Sequence, residues 1–299
     1  YQMLGAIFSI FAFEKENIGF IMNLMSGFAS ALAISFMYWS IILILKKITD
    51  TSEASINKQI LISGSALVGS LAFAFTDTFW FSAVETEVYA MATLIMAVIF
   101  YLGLRWEADM HNSRGDKWLL LICFVIGLSF GVHFMGLLVI PAIVMIYYFK
   151  NQKTILNSTK VNPIIGFFIA NIIGLGILMG VFKLLLPNTL KFFSAIELLF
   201  VNNLGLPFNS GTLVAFVVIV YAFYFLINHT RKKGMVRANT ITLCFLFIFI
   251  GFSSWLILPI RANADVVVNE NDPSNARELL AYYNLEQYPK TYLFYGPLF

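Results

Sequence analysis

The stretch 18-IGFIMNLMSGFASALAISFMYWSIILIL-45 contains no Asp, Glu, Lys or Arg and is followed directly by Lys46-Lys47. As a helix rising about 1.5 Å per residue it reaches about 42 Å, more than the roughly 30 Å hydrocarbon core of a bilayer. Seven further apolar segments follow it, at 59–76, 86–104, 117–132, 134–149, 161–186, 211–228 and 240–260. The composition agrees. Of 299 residues 60% are hydrophobic, 31 are Phe and only 12% are charged, whereas a soluble domain keeps about a quarter of its residues charged. The expected fold is all-α, a polytopic transmembrane bundle of about eight spans. The two cysteines, Cys123 and Cys244, fall inside apolar runs and read as buried small hydrophobes, with no disulfide or metal framework.

Residues 117–149 form one apolar run, interrupted by 131-GVHFMG-136. A single helix of that length overshoots the bilayer, so two short spans with a tight turn near His133 are expected. Residues 1–13 are apolar but too short to cross, which suits an interfacial or re-entrant helix. Segment 187–210 has mixed polarity and Pro207, and reads as an outer interfacial helix followed by a turn. The division expected is therefore a membrane domain over 1–260 and an extracytoplasmic segment over 261–299, with 271-NDPSN-275 opening a short helix. The chain starts at Tyr1 without a Met or a signal-peptide n-region and ends at 294-FYGPLF-299, as expected of an internal fragment.

Charge sets the orientation. The loops 46–58, 105–117, 150–160 and 229–239 together hold 13 basic and 5 acidic residues, and the remainder of the chain holds 6 basic and 11 acidic. The positive-inside rule makes the four basic loops cytoplasmic. No Asp, Glu, Lys or Arg lies near the middle of a span, which argues against ion coupling and voltage sensing. No phosphate-binding Gly-rich loop, metal-spaced His/Cys set or nucleophile elbow occurs, and the basic residues are loop anchors rather than a nucleic-acid footprint. Chemistry is thus expected at the outer boundary.

Three carboxylates, Asp77, Glu85 and Glu87, gather in 77-DTFWFSAVETEVYA-90. If 77–90 is one helix, Glu85 shares a face with Asp77 and Tyr89, Trp80 shares one with Glu87, and the two glutamates point about 200° apart. One would line a site while the other favours the helix N-terminus. The alternative is a solvated turn with interfacial aromatics. His133, in 126-IGLSFGVHFMGLL-138, would meet a lipid phosphate or be satisfied by a carbonyl or water. Arg261, directly after 255-WLILPI-260, is unusual on the outer side. It would bind phosphate through its planar fork or snorkel as an anchor. Lys183 and Lys191 read as anchors, and Asn23 and Ser26 as packing groups between helices.

The strings 22-MNLMSGFASAL-32, 77-DTFWFSAVETEVYA-90, 127-GLSFGVHFMGLLVIPA-142 and 261-RANADVVVNENDPSNARELLAYYNLEQY-288 resemble the bacterial "domain of unknown function 2723" family, common in Bacteroidetes. That family is placed among the GT-C glycosyltransferases and is similar to protein O-mannosyltransferases. The turn at 127–138 also resembles the Gly-rich turn of O-mannosyltransferases, with His133 where those have Lys. The resemblance implies a multi-pass enzyme of the bacterial inner membrane with a periplasmic active site. It would take a sugar from a polyprenyl-phosphate carrier to a secreted or periplasmic protein, on Ser or Thr. No cofactor is expected, and a divalent cation is left open. Family members carry an earlier span and an outer loop with the catalytic Asp, which places the base before Tyr1. Asp77, Glu85 and Glu87 become supporting carboxylates, and His133, Arg261, Trp80 and Tyr89 become substrate-binding residues. The competing readings are a lipid-carrier flippase or transporter, and a non-catalytic membrane subunit.

Overall fold

The computed structural model describes residues 1–49, 55–155, 162–264, 266–289, 292, 295 and 296. All regular structure among them is helical. Each of the eight expected segments falls on a helix. Among the described residues six helices are long and apolar enough to cross a membrane: Lys15–Ile48, Val88–Asp109, Phe134–Asn151, Pro163–Asn203, Ser210–Lys232 and Val236–Ala262. A seventh candidate is a bent pair, Ile56–Ala74 with Asp77–Val84, whose axes meet at 69°. The eighth segment is the helix Asp116–Ser129, only 14 residues long.

The chain divides into two units, Tyr1–Leu178 with Leu243–Ser254, and Met179–Thr242 with Trp255–Phe299. The division expected at 260/261 separates apolar from polar chain and is a different cut.

In the first unit, α1 (Gln2–Ser9) precedes the long α2 (Ile18–Ile48). After it come α3 (Ile56–Ala74), α4 (Asp77–Val84), α5 (Val88–Asp109), α6 (Asp116–Ser129), a 3-10 stretch Phe134–Val139 and α7 (Ile140–Ile155). Next is α8 (Pro163–Met179). The packing is that of membrane helices, where small residues let backbones approach because lipid tails supply no hydrophobic drive between helices. Met25, Ala29 and Ala33 recur every fourth residue on α2 and are buried, as are Ile62, Ala66 and Ser70 on α3. Large side chains such as Phe28, Leu61, Val68 and Phe168 are exposed instead, as a lipid-facing surface requires.

The α5–α6 pair explains why 14 residues suffice for α6. The Trp118 indole N–H donates to Asp109 at 2.7 Å, fixing the start of α6 at the end of α5. Tyr89, at the start of α5, meets His133 just beyond α6 with ring centroids 5.7 Å apart. Helix α6 and its trailing turn 130–133 therefore run alongside α5 from one end to the other.

The second unit opens where α8 ends, with a π-helical stretch Gly180–Leu185 that leads into α9 (Leu186–Leu198). The expected interfacial segment is helical as far as Asn203, with no break from the preceding span, and turns after it. Helix α10 (Ser210–Lys232), the first turns of α11 (Val236–Phe252) and α12 (Ile257–Ala262) follow, while α11 from Leu243 onward belongs to the first unit. The expected short helix after the NDPSN turn is α13 (Ala276–Asn284), capped by Asn275, whose side-chain oxygen accepts from the N–H groups of Arg277 and Glu278. It packs on α9 and buries Leu279, Leu280 and Ala281. The Tyr283 hydroxyl donates 2.7 Å to the Phe182 carbonyl, which lies in the π-helical stretch.

Candidate functional site

The carboxylate stretch is not one helix. Helix α4 ends at Val84, and Glu85 (φ −104°, ψ 145°) and Glu87 (φ −123°, ψ 160°) are extended. Between them the Glu87 N–H donates to the Glu85 carbonyl at 2.9 Å, an i→i+2 turn about Thr86. The one-helix geometry is thereby corrected: the faces pairing Glu85 with Tyr89 and Trp80 with Glu87 do not exist. Trp80 stacks on Phe75 instead, centroids 5.6 Å apart. The physical reason lies in Thr86, whose hydroxyl donates to the Asn23 side-chain oxygen on α2 and ties the link to a neighbouring helix. Asn23 thus bonds a neighbouring segment as expected of a packing Asn, but from an exposed position; Ser26 is 1% exposed.

The two glutamates differ in setting. Glu87 is exposed and stands at the N-cap position of α5 without bonding its backbone, where negative charge favours the helix dipole. Glu85 is half-buried. Asp77 is exposed in the first turn of α4.

His133 is held from two directions. Its backbone N–H donates to the Ser129 carbonyl at 2.8 Å, which closes the turn after α6. Its Nδ1 accepts from the Met135 N–H at 3.2 Å and so caps the 3-10 stretch. A ring nitrogen that accepts carries no proton, so this geometry assigns the neutral imidazole proton to Nε2. A Cβ on Gly131 would lie 2.8 Å from the Ser254 hydroxyl, so a side chain there would have to turn Ser254 aside. The Tyr89 ring tilts against the imidazole, and Tyr89 is itself 47% exposed. The structure therefore brings Tyr89 and His133 together at the end of the unit where the Glu85–Glu87 link enters α5. Trp80, on α4, sits against Phe75 at the end of α3.

Arg261 belongs to the second unit. It is exposed in the last turn of α12, where a cation favours the helix dipole, and it has no carboxylate partner among the described residues. Lys183 lies 4.7 Å from the Phe182 ring centre, and Lys191 is exposed on α9. Near α13, Arg277 bonds Glu286 at 3.1 Å and holds its carboxyl below the usual carboxylate range. Burial pushes the Tyr283 hydroxyl up to about 12.

Sequence reasoning passed over Glu197. It is 4% exposed and accepts from the Asn209 N–H at 2.6 Å, the Thr212 N–H at 2.7 Å and the Thr212 hydroxyl at 3.0 Å. It caps α10 from α9, and a Cβ on Gly211 would lie 2.5 Å from the Glu197 Cα. An acid inside 186-LPNTLKFFSAIEL-198, followed by the helix-start run 209-NSGT-212, was the available signal. With both carboxylate oxygens engaged, Glu197 is a structural group rather than a base. Among the described residues no three His, Cys, Asp or Glu side chains come together as metal ligands.

Residues 1–156 match the family described as the protein O-mannosyl-transferase TMEM260 N-terminal domain. The chain belongs to this family. The match contains three of the four strings on which the resemblance rested, with Asp77, Trp80, Glu85, Glu87, Tyr89 and His133, while Arg261 lies outside it. No curated protein and no solved structure matches the chain. A TMEM260 N-terminal domain built this way offers a donor imidazole N–H, an aromatic ring and a half-buried carboxylate at one end of a helical bundle.

Proposed function

We propose that this chain is the membrane portion of a GT-C-type glycosyltransferase that moves a sugar from a polyprenyl-phosphate carrier to a Ser or Thr hydroxyl of a protein outside the cytoplasm. The observation that carries this reading is the family membership of residues 1–156, named for protein O-mannosyl transfer. In the reaction the anomeric carbon–oxygen bond to phosphate breaks as the bond to the acceptor oxygen forms, the acceptor proton goes to a carboxylate, and polyprenyl phosphate leaves. The negative charge growing on the phosphate needs preorganised donors. His133 Nε2–H is such a donor; Arg261, in the second unit, is a separate candidate for binding phosphate through its fork. Glu85, the more sheltered of the link carboxylates, orients the acceptor, with Asp77 and Glu87 at the rim. Tyr89 and Trp80 offer ring faces to sugar or lipid.

The test uses the purified full-length protein reconstituted in liposomes with polyprenyl-phosphate mannose and a Ser/Thr-rich acceptor. Release of polyprenyl phosphate with a glycosylated product is the expected result. Transbilayer movement of the donor without product would favour a flippase and overturn the enzyme reading. Undiminished turnover in Glu85→Gln, Asp77→Asn and Arg261→Ala variants together would leave the enzyme standing and sink the site assignment.

A further inference from the structure

At the ends of α2, α5 and α7 next to the basic loops, two ammonium groups converge on a single carboxylate oxygen. Lys47 Nζ lies 2.6 Å and Lys150 Nζ 3.0 Å from Glu107 Oε1. Glu107 is 8% exposed, whereas the Lys47 side chain is 63% exposed. Among the described residues one carboxylate meets two lysines, so this group of three keeps a net positive charge. Each ammonium has three N–H donors and engages Glu107 through one contact. The preceding residue on α5, Trp106, is 6% exposed and stacks on Tyr147 of α7 with centroids 5.5 Å apart. Its indole N–H, a donor only, has no acceptor among the described residues. Tyr147 and Lys150 are three residues apart and share a face of α7. The orphan indole donor and the surplus ammonium charge therefore lie on one α5–α7 seam.

A buried donor without an acceptor and a surplus cation beside it call for an oxygen-rich anion. At a membrane boundary the abundant anion of that kind is a phospholipid headgroup, and basic pockets between spans recognise such headgroups. We propose that Lys47, Lys150 and the Trp106 indole N–H seat the phosphate of an anionic phospholipid on the side of the membrane that carries the basic loops. Glu107 competes with the phosphate for both ammonium groups and lowers the charge of the seat.

The test is native mass spectrometry of the intact full-length protein titrated with phosphatidylglycerol, phosphatidylcholine or inorganic phosphate. The wild type should retain phosphatidylglycerol over phosphatidylcholine. The Lys47→Gln/Lys150→Gln double variant should bind phosphatidylglycerol at least tenfold more weakly. Trp106→Phe, which keeps the ring stack and the ion cluster, should weaken binding severalfold. Glu107→Gln should tighten it, because both lysines lose their competing partner. Equal retention of the two lipids overturns the proposal. So does a Glu107→Gln variant that loses phosphatidylglycerol as the double variant does, since a purely structural clamp predicts that parallel loss. Displacement of the lipid by millimolar inorganic phosphate overturns the lipid assignment. If the lysine variants fail to fold, an unchanged affinity in Trp106→Phe is sufficient to reject the seat.

Discussion

His133 has two roles that a substitution can separate. Its Nδ1 accepts from the Met135 N–H and caps the 3-10 stretch, and its Nε2 is left to donate. In His133→Asn the side-chain oxygen can still accept from a backbone N–H two residues on, but the outward donor is lost. In His133→Ala both are lost. The expected outcome is a drop in glycosyl transfer of about a hundredfold in both variants, the range for losing one preorganised donor. The melting temperature should fall in the alanine variant alone. Transfer rates and thermal melts on the same preparations check this, and a fully active His133→Asn would remove the imidazole from the phosphate. At this scale the sequence was informative about residue types and silent about partners. His133 and Tyr89 stood out by their positions beside a Gly-rich turn and an acidic link, yet their 5.7 Å contact joins residues far apart in the chain and no local pattern encodes it. Glu197 was missed for the same reason, since its value as a cap depends on Asn209 and Thr212 of the following helix.

Between elements, the contact of α6 with α11 leaves the least room. A Cβ on Gly127 would overlap the Ile248 carbonyl oxygen, and one on Gly251 would overlap the Phe124 carbonyl and lie 2.6 Å from the Leu128 nitrogen. These are backbone atoms, so no rotamer change relieves the clash. Gly127→Ala and Gly251→Ala should each cost about 1–3 kcal/mol, the usual range for overpacking. Gly64→Ala on α3 and Gly176→Ala on α8 meet no atom within 4 Å and should leave stability unchanged. Melting temperatures of the four variants in one detergent decide the matter; equal losses in all four would show that helix contacts at Gly127 and Gly251 carry no special weight. The positions of the helices were legible in the sequence because hydropathy sums over a whole window. The break at 85–87 was not, because it spans three residues and is stabilised by Thr86 reaching Asn23 on another helix. The run from α8 into α9 was hidden for the opposite reason. Mixed polarity resembles a boundary, but the π-helical stretch directly before Pro187 carries the chain through as one helix.

Charge segregation is a property of the whole molecule, and within the first unit it now has a structural counterpart. Lys47, Glu107 and Lys150 meet at one end, which brings three of the four basic loops to the same side. Tyr89 and His133 meet at the other end of α5, next to the acidic link. Helices α2, α5 and α7 thus share a direction, and α6 returns between α5 and α7, as the alternation of loop charge requires. The positive-inside rule then puts Asn112 in the cytoplasm and Thr86 outside it; both are exposed. The two free cysteines, Cys123 and Cys244, can be replaced by Ala to give a background for single-cysteine labelling. With the membrane intact, a membrane-impermeant maleimide added from the non-cytoplasmic side should label Thr86→Cys and Asn271→Cys at once, and Asn112→Cys only after lysis. Reversal of the Thr86 and Asn112 results would invert the orientation and move the Tyr89–His133 site to the cytoplasmic face. A glycosyl donor presented outside the cell membrane could not then reach it, and the proposed reaction would have to be abandoned for one fed by a cytoplasmic donor. Labelling of Asn271→Cys from the inside alone would leave the first unit's orientation untouched while showing that α13 and its polar loop do not face the compartment of the acceptor.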